Sequence, residues 1–246
     1  MKWAEVSRRE WISMFGGAAM LEFSGELANA AAPLVKPRDA VDHLLLGIAD
    51  LDRGVAWVER RTGIKAVPGG SHPGVGTRNA LLSLGGRQYL EIIAPDPQQK
   101  AFNYQVDLRT MAEPRLITWA AATRDIQAIA KSAGAAGYKV FGPRDGSRAR
   151  PDGRLLKWRT LGVVNKLGRD GVEPIPFFIE WDASSLHPSQ DSPSGCTLQA
   201  LEIEHPDPAS LNDALKLLGI DANVKRQDRA GLIATLKTPK GAVELR

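Results

Sequence analysis

Cysteine is almost absent from this chain: Cys196 is the single one among 246 residues, which excludes an intramolecular disulfide framework and a thiolate zinc cluster. Any metal must therefore be held by nitrogen and oxygen donors. Long apolar runs are lacking too, and none reaches the roughly 18 residues that argue for a membrane-spanning helix. Nor is there a strong excess of one charge, with 32 basic against 28 acidic residues. The densest basic stretch, R144-D-G-S-R-A-R-P-D-G-R-L-L-K-W-R159, holds one aromatic residue and no recognisable nucleic-acid motif, so nucleic-acid binding is disfavoured. That stretch reads as a solvated hairpin with its flanking loop, or as a patch that draws in an anionic substrate. What is present is the composition of a soluble globular protein with a sizeable core: 43% hydrophobic and 24% charged residues.

The first thirty residues read as an address rather than as structure. Ser7-Arg8-Arg9-Glu10-Trp11-Ile12 resembles a twin-arginine export motif, followed by a weakly apolar stretch and a small-residue site at Ala28-Asn29-Ala30. Residues 1–30 are therefore expected to form an export signal that directs the chain to the periplasm or beyond. The alternative is a short N-terminal helix of a cytoplasmic protein.

From Ala40 onward the pattern is one strand, one helix and three strands, repeated. Ala40 to Ile48 reads as a strand and Asp50 to Arg61 as a helix, with Leu51, Val55 and Val58 on one face, Asp50 as N-cap and Gly63 as C-cap. Strands follow near Lys65 to Val67, Asn79 to Leu84 and Gln88 to Ala94, the last two joined by Gly85-Gly86. Pro95 to Glu113 reads as a connector with a short helix. The second copy has strands at Arg115 to Ala122, Tyr138 to Phe141, Leu155 to Leu161 and Pro176 to Trp181, and a helix from Arg124 to Ala136. A third copy runs from Thr197 to the end, and twelve residues separate Leu232 from Glu244 as twelve separate Asn79 from Glu91. The expectation is an α+β fold of repeated βαβββ modules that form a curved mixed sheet with a cleft. Its paired domain spans 40–182, and a third module spans 195–246.

Three side chains are candidates for the cleft. His43 lies in the first strand of module one, Glu91 in its last strand, and Glu180 in the last strand of module two. An unpaired buried carboxylate costs several kcal/mol, so a glutamate in the middle of Q88-Y-L-E-I-I-A94 needs either a wet face or a positive partner. Read without that cleft, His43 is a hydrogen-bonded core histidine or one that faces solvent, and each glutamate bridges to an arginine such as Arg78 or Arg87.

With D42-H-L-L-L46, G70-S-H-P-G-V-G-T-R-N79, Y89-L-E-I-I93, R150-P-D-G-R-L-L-K-W158 and the strand from Pro176 to Trp181, the chain resembles the glyoxalase-like branch of the vicinal oxygen chelate superfamily. The resemblance covers roughly Val41 to Asp182. It implies a divalent ion (zinc, manganese, nickel or magnesium) held in the cleft by four side chains, one each from the first and last strands of the two modules. His43, Glu91 and Glu180 match three of these positions. The fourth, seven residues before Asp125, falls on Thr118 with Trp119 beside it, and neither is a good ligand. The ring-opening dioxygenases of the superfamily need a second histidine, so that activity is disfavoured.

The resemblance thus implies a lyase or isomerase in which the ion chelates two neighbouring oxygens of a small substrate, while Glu91 or Glu180 moves a proton. His72 on its glycine-rich loop and Trp119, Trp158 and Trp181 on strands are the candidate substrate contacts. An ordinary turn and plain core packing are the alternatives for these. The rival reading is a metal-free protein on the same fold that sequesters a small ligand. An odd third module leaves a sheet edge to cover, either against the first pair or in a homodimer.

Overall fold

The computed structural model describes residues 34–149 and 153–246. The proposed export signal lies outside them, as do Arg150, Pro151 and Asp152. Among the described residues no helix is long and apolar enough to cross a membrane.

A short helix α1 (Pro37–Ala40) leads into module one: β1 (Val41–Gly47), α2 (Leu51–Thr62), β2 (Val67–His72), β3 (Thr77–Ser83) and β4 (Tyr89–Pro95). Module two follows as β5 (Arg115–Ala122), α3 (Ile126–Ala135), β6 (Lys139–Ala149), β7 (Leu155–Val164) and β8 (Phe177–Trp181). The expected caps form: Asp50 accepts a hydrogen bond from the Arg53 amide, and Gly63 closes α2 at φ 83°, a left-handed value that glycine adopts without strain. Two strands run well beyond the ranges their sequence pattern predicted. β2 continues to His72, and β6 reaches Ala149 to form a long hairpin with β7.

Eight strands form one curled sheet in the order β2-β3-β4-β1-β5-β8-β7-β6. Each module closes its first strand in parallel against its last, β1 on β4 and β5 on β8, and the modules join through antiparallel β1 and β5. Strand alternation then sorts the side chains. Leu44, Leu46, Leu90 and Ile92 pack with Leu51, Val58, Ile126 and Ala133 of the helices on one face. His43, Leu45, Tyr89 and Glu91 line a cavity on the other.

The last segment contains β9 (Thr197–His205), α4 (Pro208–Leu217), β10 (Lys225–Arg226), β11 (Gly231–Thr238) and β12 (Gly241–Leu245). The order of elements repeats, but the pairing does not. This second sheet runs β10-β9-β11-β12, so β9 sits beside β11, and β12 pairs with β11 alone. Glu244 is exposed on that strand opposite Thr235, and the expected equivalence with Glu91 is lost. The segment packs within its own chain. Leu198, Leu201, Leu215, Leu232 and Leu236 share one buried cluster with the core of the first pair, and the Leu116 amide donates to the Arg246 carbonyl.

Candidate functional site

The cavity on the concave face measures about 350 Å³. Two residues of module one stand at its floor. His43 Nε2 lies 3.7 Å from Glu91 Oε2, with His43 4% and Glu91 7% exposed. The ring of His43 stacks on Tyr89 at 4.5 Å and meets Phe177 edge-on at 5.5 Å.

Asp42 organises this corner, although no pattern in the sequence pointed to it. Adjacent residues of a strand point to opposite faces, but the β1–β5 register shifts between Val41 and His43. Such a bulge re-aims a side chain. The Asp42 carboxylate accepts from His43 Nδ1 at 2.8 Å on one oxygen, and from Trp181 Nε1 at 3.0 Å and His187 Nε2 at 3.1 Å on the other. Because a carboxylate only accepts, a proton of His43 sits on Nδ1, and Nε2, which holds the lone pair when the ring is neutral, faces Glu91 and the cavity. Burial alone would raise the Asp42 pKa, but the hydrogen bonds from His187 and His43 and the charge of both rings bring it down to about 2.

Glu91 has its own partners. Asn79 Nδ2 donates to its Oε1 at 2.8 Å, and His72 Nε2 lies 3.8 Å from the same oxygen. Arg148 Nη1 donates to Asn79 Oδ1 at 2.8 Å, which fixes the orientation of the amide. Burial pushes the Glu91 pKa up, but His72, His43, the Asn79 bond and Arg148 together leave it below the usual range. Burial pushes the His72 pKa down despite the Glu91 charge, so its ring is neutral near pH 7. His72 is therefore a strand residue hydrogen-bonded to Thr77 at 2.8 Å, rather than part of a loop lid.

Trp158 and Trp181 line the cavity with ring centroids 5.5 Å apart, alongside Tyr104, Phe177 and Ile179. Trp119 does not join them. It is wholly buried on the opposite face, where its Nε1 donates to the Pro174 carbonyl at 2.9 Å, so its expected role as a substrate contact is withdrawn.

Glu180 is also placed elsewhere. Its carboxylate accepts from Arg159 Nη2 at 2.5 Å and from the Ile126 amide at 2.7 Å, where it caps the first turn of α3. The strand register explains the difference. His43 faces Ala120 and Leu45 faces Thr118 across β1–β5, so the local twofold relates His43 to Thr118 and Leu45 to Ala120. Leu45 pairs with Glu91, and Ala120 pairs with Phe177. Phe177, three residues before Glu180, thus holds the position in module two that Glu91 holds in module one.

The donor set therefore does not fit the four-residue metal site implied by the resemblance. Module two offers Thr118 and Phe177 at its two positions, and Thr118 Oγ1 is buried without a partner. In module one the Asn79 amide stands between Glu91 and His72, 3.3 Å from His72 Nε2, with the Arg148 cation behind it. Among the described residues, no group of three or more His, Cys, Asp or Glu is placed to hold a metal ion.

Paired βαβββ modules around a concave cleft define the vicinal oxygen chelate fold. Within it the chain belongs to the glyoxalase-like domain family, whose model matches residues 41–219. Among solved structures, a hypothetical protein from Staphylococcus aureus is similar at a TM-score of 0.61 and 16% identity, over 84% of this chain and 98% of that one. Methylmalonyl-CoA epimerase from Mycobacterium tuberculosis matches at 0.40 and 20% identity, over 61% and 91% of the two chains. The Streptomyces coelicolor methylmalonyl-CoA epimerase in complex with 2-nitronate-propionyl-CoA matches at 0.42 and 21%, over 62% and 99%. These likenesses are of fold alone. No curated protein gives a match.

Proposed function

We propose that the protein is an enzyme that moves a proton at a carbon next to a carbonyl group of a small molecule, as an isomerase or lyase, using His43 as the base. The observation that carries this reading is the buried Asp42–His43 pair, which leaves a single lone pair, that of Nε2, directed at the cavity. A base must lie within reach of the proton it takes and be held in one tautomer, and Asp42 supplies the second condition. As His43 takes a proton it becomes an imidazolium between two carboxylates, Asp42 and Glu91, both ionised at neutral pH. Their charge stabilises the protonated ring and so favours the transfer. Glu91, expected from the sequence to ligate a metal or act as the base, here supports the ring. No step of this reaction is routed through a metal ion.

The test is deuterium exchange. The protein, dialysed against EDTA, is incubated in D2O with α-hydroxy ketones, 2-oxo acids and thioesters, and loss of the C–H signal is followed by NMR. Exchange on at least one compound is expected to persist after chelation and to fall about 100-fold or more in His43→Gln. Exchange that requires added manganese, nickel or zinc would reinstate the metal-dependent reading. Binding without exchange would favour the sequestering protein instead.

A further inference from the structure

The polar and apolar groups of the cavity are segregated, and one cation among them is left partly open. Arg148 comes from β6, the far edge of the eight-stranded sheet, and reaches across to module one. Its aliphatic stem lies over Gly70 of β2, where an added Cβ would meet Arg148 Cδ at 3.0 Å. Its Nη1 is spent on the Asn79 carbonyl oxygen, but Nε is buried with no hydrogen-bond partner. That Nε is walled off by protein, but Nη2 makes no hydrogen bond among the described residues and is not buried, so a carboxylate can accept from this end of the fork. Arg148 forms no ion pair with Glu91: the Asn79 amide intervenes, so the positive charge is available to a ligand. Trp158, Trp181, Phe177 and Ile179 line the same cavity and give it apolar surface suited to a flat hydrocarbon or ring. The volume, about 350 Å³, is at the small end for ligand sites.

We infer that the cavity takes a small aromatic carboxylate, with the carboxylate seated on the Nη2 end of Arg148 and the ring against Trp158 and Trp181. This deepens the proton-transfer reading by naming its substrate class. The carboxylate at Arg148 and the ring on Trp158 and Trp181 place the carbons between them near His43 Nε2.

The probe is 2-oxo-4-phenylbutanoate, which carries a carboxylate, a ring and exchangeable protons beside its carbonyl. It is compared by isothermal titration calorimetry with its methyl ester and with 2-oxobutanoate, which lacks the ring. Wild-type protein is expected to bind the acid at least 10-fold more tightly than either. Arg148→Gln should weaken binding of the acid by about 10- to 100-fold and leave the ester unchanged, and Arg148→Lys should fall between. Equal binding of acid and ester, wild-type affinity in Arg148→Gln, equal binding of the ringless acid, or no binding of the acid would each overturn the inference. Binding that depends on Arg148 but gives no deuterium exchange would leave the ligand class standing and remove the proton-transfer reading. The two proposals therefore fail separately.

Discussion

Asp42 concentrates the chemistry of one corner in a single carboxylate, because its neighbour His43 and two donors from far along the chain, Trp181 and His187, converge on it. Its folded pKa of about 2 lies below the unfolded value near 3.9, so its contribution is complete above about pH 5 and is lost as the pH falls toward 2. That contribution is about 2 kcal/mol. Urea unfolding measured from pH 6 to pH 2 should show such a loss in the wild type, and Asp42→Asn should abolish this component. Trp181→Phe deletes one donor to a carboxylate that is 2% exposed and should cost about 1–3 kcal/mol at pH 7, read from the same unfolding midpoint. His43 and Glu91 were legible in the sequence because both stand in apolar strands that have no other use for polar groups. Asp42 was hidden by the bulge that turns it, and His187 by the 145 residues that separate it from its partner.

At the level of strands and helices, the sequence periodicity located most elements but could not fix their register. Glu180 looked like the counterpart of Glu91 because each is the acidic residue of an apolar last strand. Parallel pairing of β5 with β8 gives that place to Phe177, and Glu180 falls on the far face beside α3. A one-residue difference in register reverses the face of a strand side chain, and apolar patterning alone does not count registers. Phe177→Glu should therefore supply a third donor beside His43 and Glu91. That variant is expected to be less stable than wild type, to bind zinc or manganese at a stoichiometry near one by calorimetry, and to recover its melting temperature when the ion is added. Absence of binding in a folded variant would show that the two positions are not equivalent. Arg148 was legible only as one of the basic residues of the stretch 144–159, because Gly142, Pro143 and Gly146 break the strand pattern of β6 and hide which of them faces inward.

Across the whole molecule, the third segment is part of one structure with the paired modules. Leu198, Leu215 and Leu232 lie in the same buried cluster as Leu44 and Leu90, and each buried leucine contributes about 1.5–3 kcal/mol. Trp57, Trp119, Trp158 and Trp181 all belong to the paired modules, while β9 to β12 add to the far-ultraviolet circular dichroism. Urea unfolding followed by tryptophan fluorescence and by circular dichroism should therefore give coincident transitions, and two separated midpoints would contradict a shared core. The repeat itself was legible from element order, whereas the different pairing of the last segment was not, since order leaves strand neighbours undetermined. The asymmetry of the cleft has a further consequence for how such a chain can change. Asp42, His43 and Glu91 come from the first module and most of the aromatic wall from the second, so mutations in the second half that spare Trp181, His187 and Arg148 can alter which compound fits while the acid–base apparatus stays intact. Relatives that differ mainly in that half are expected to share a reaction and diverge in what they accept.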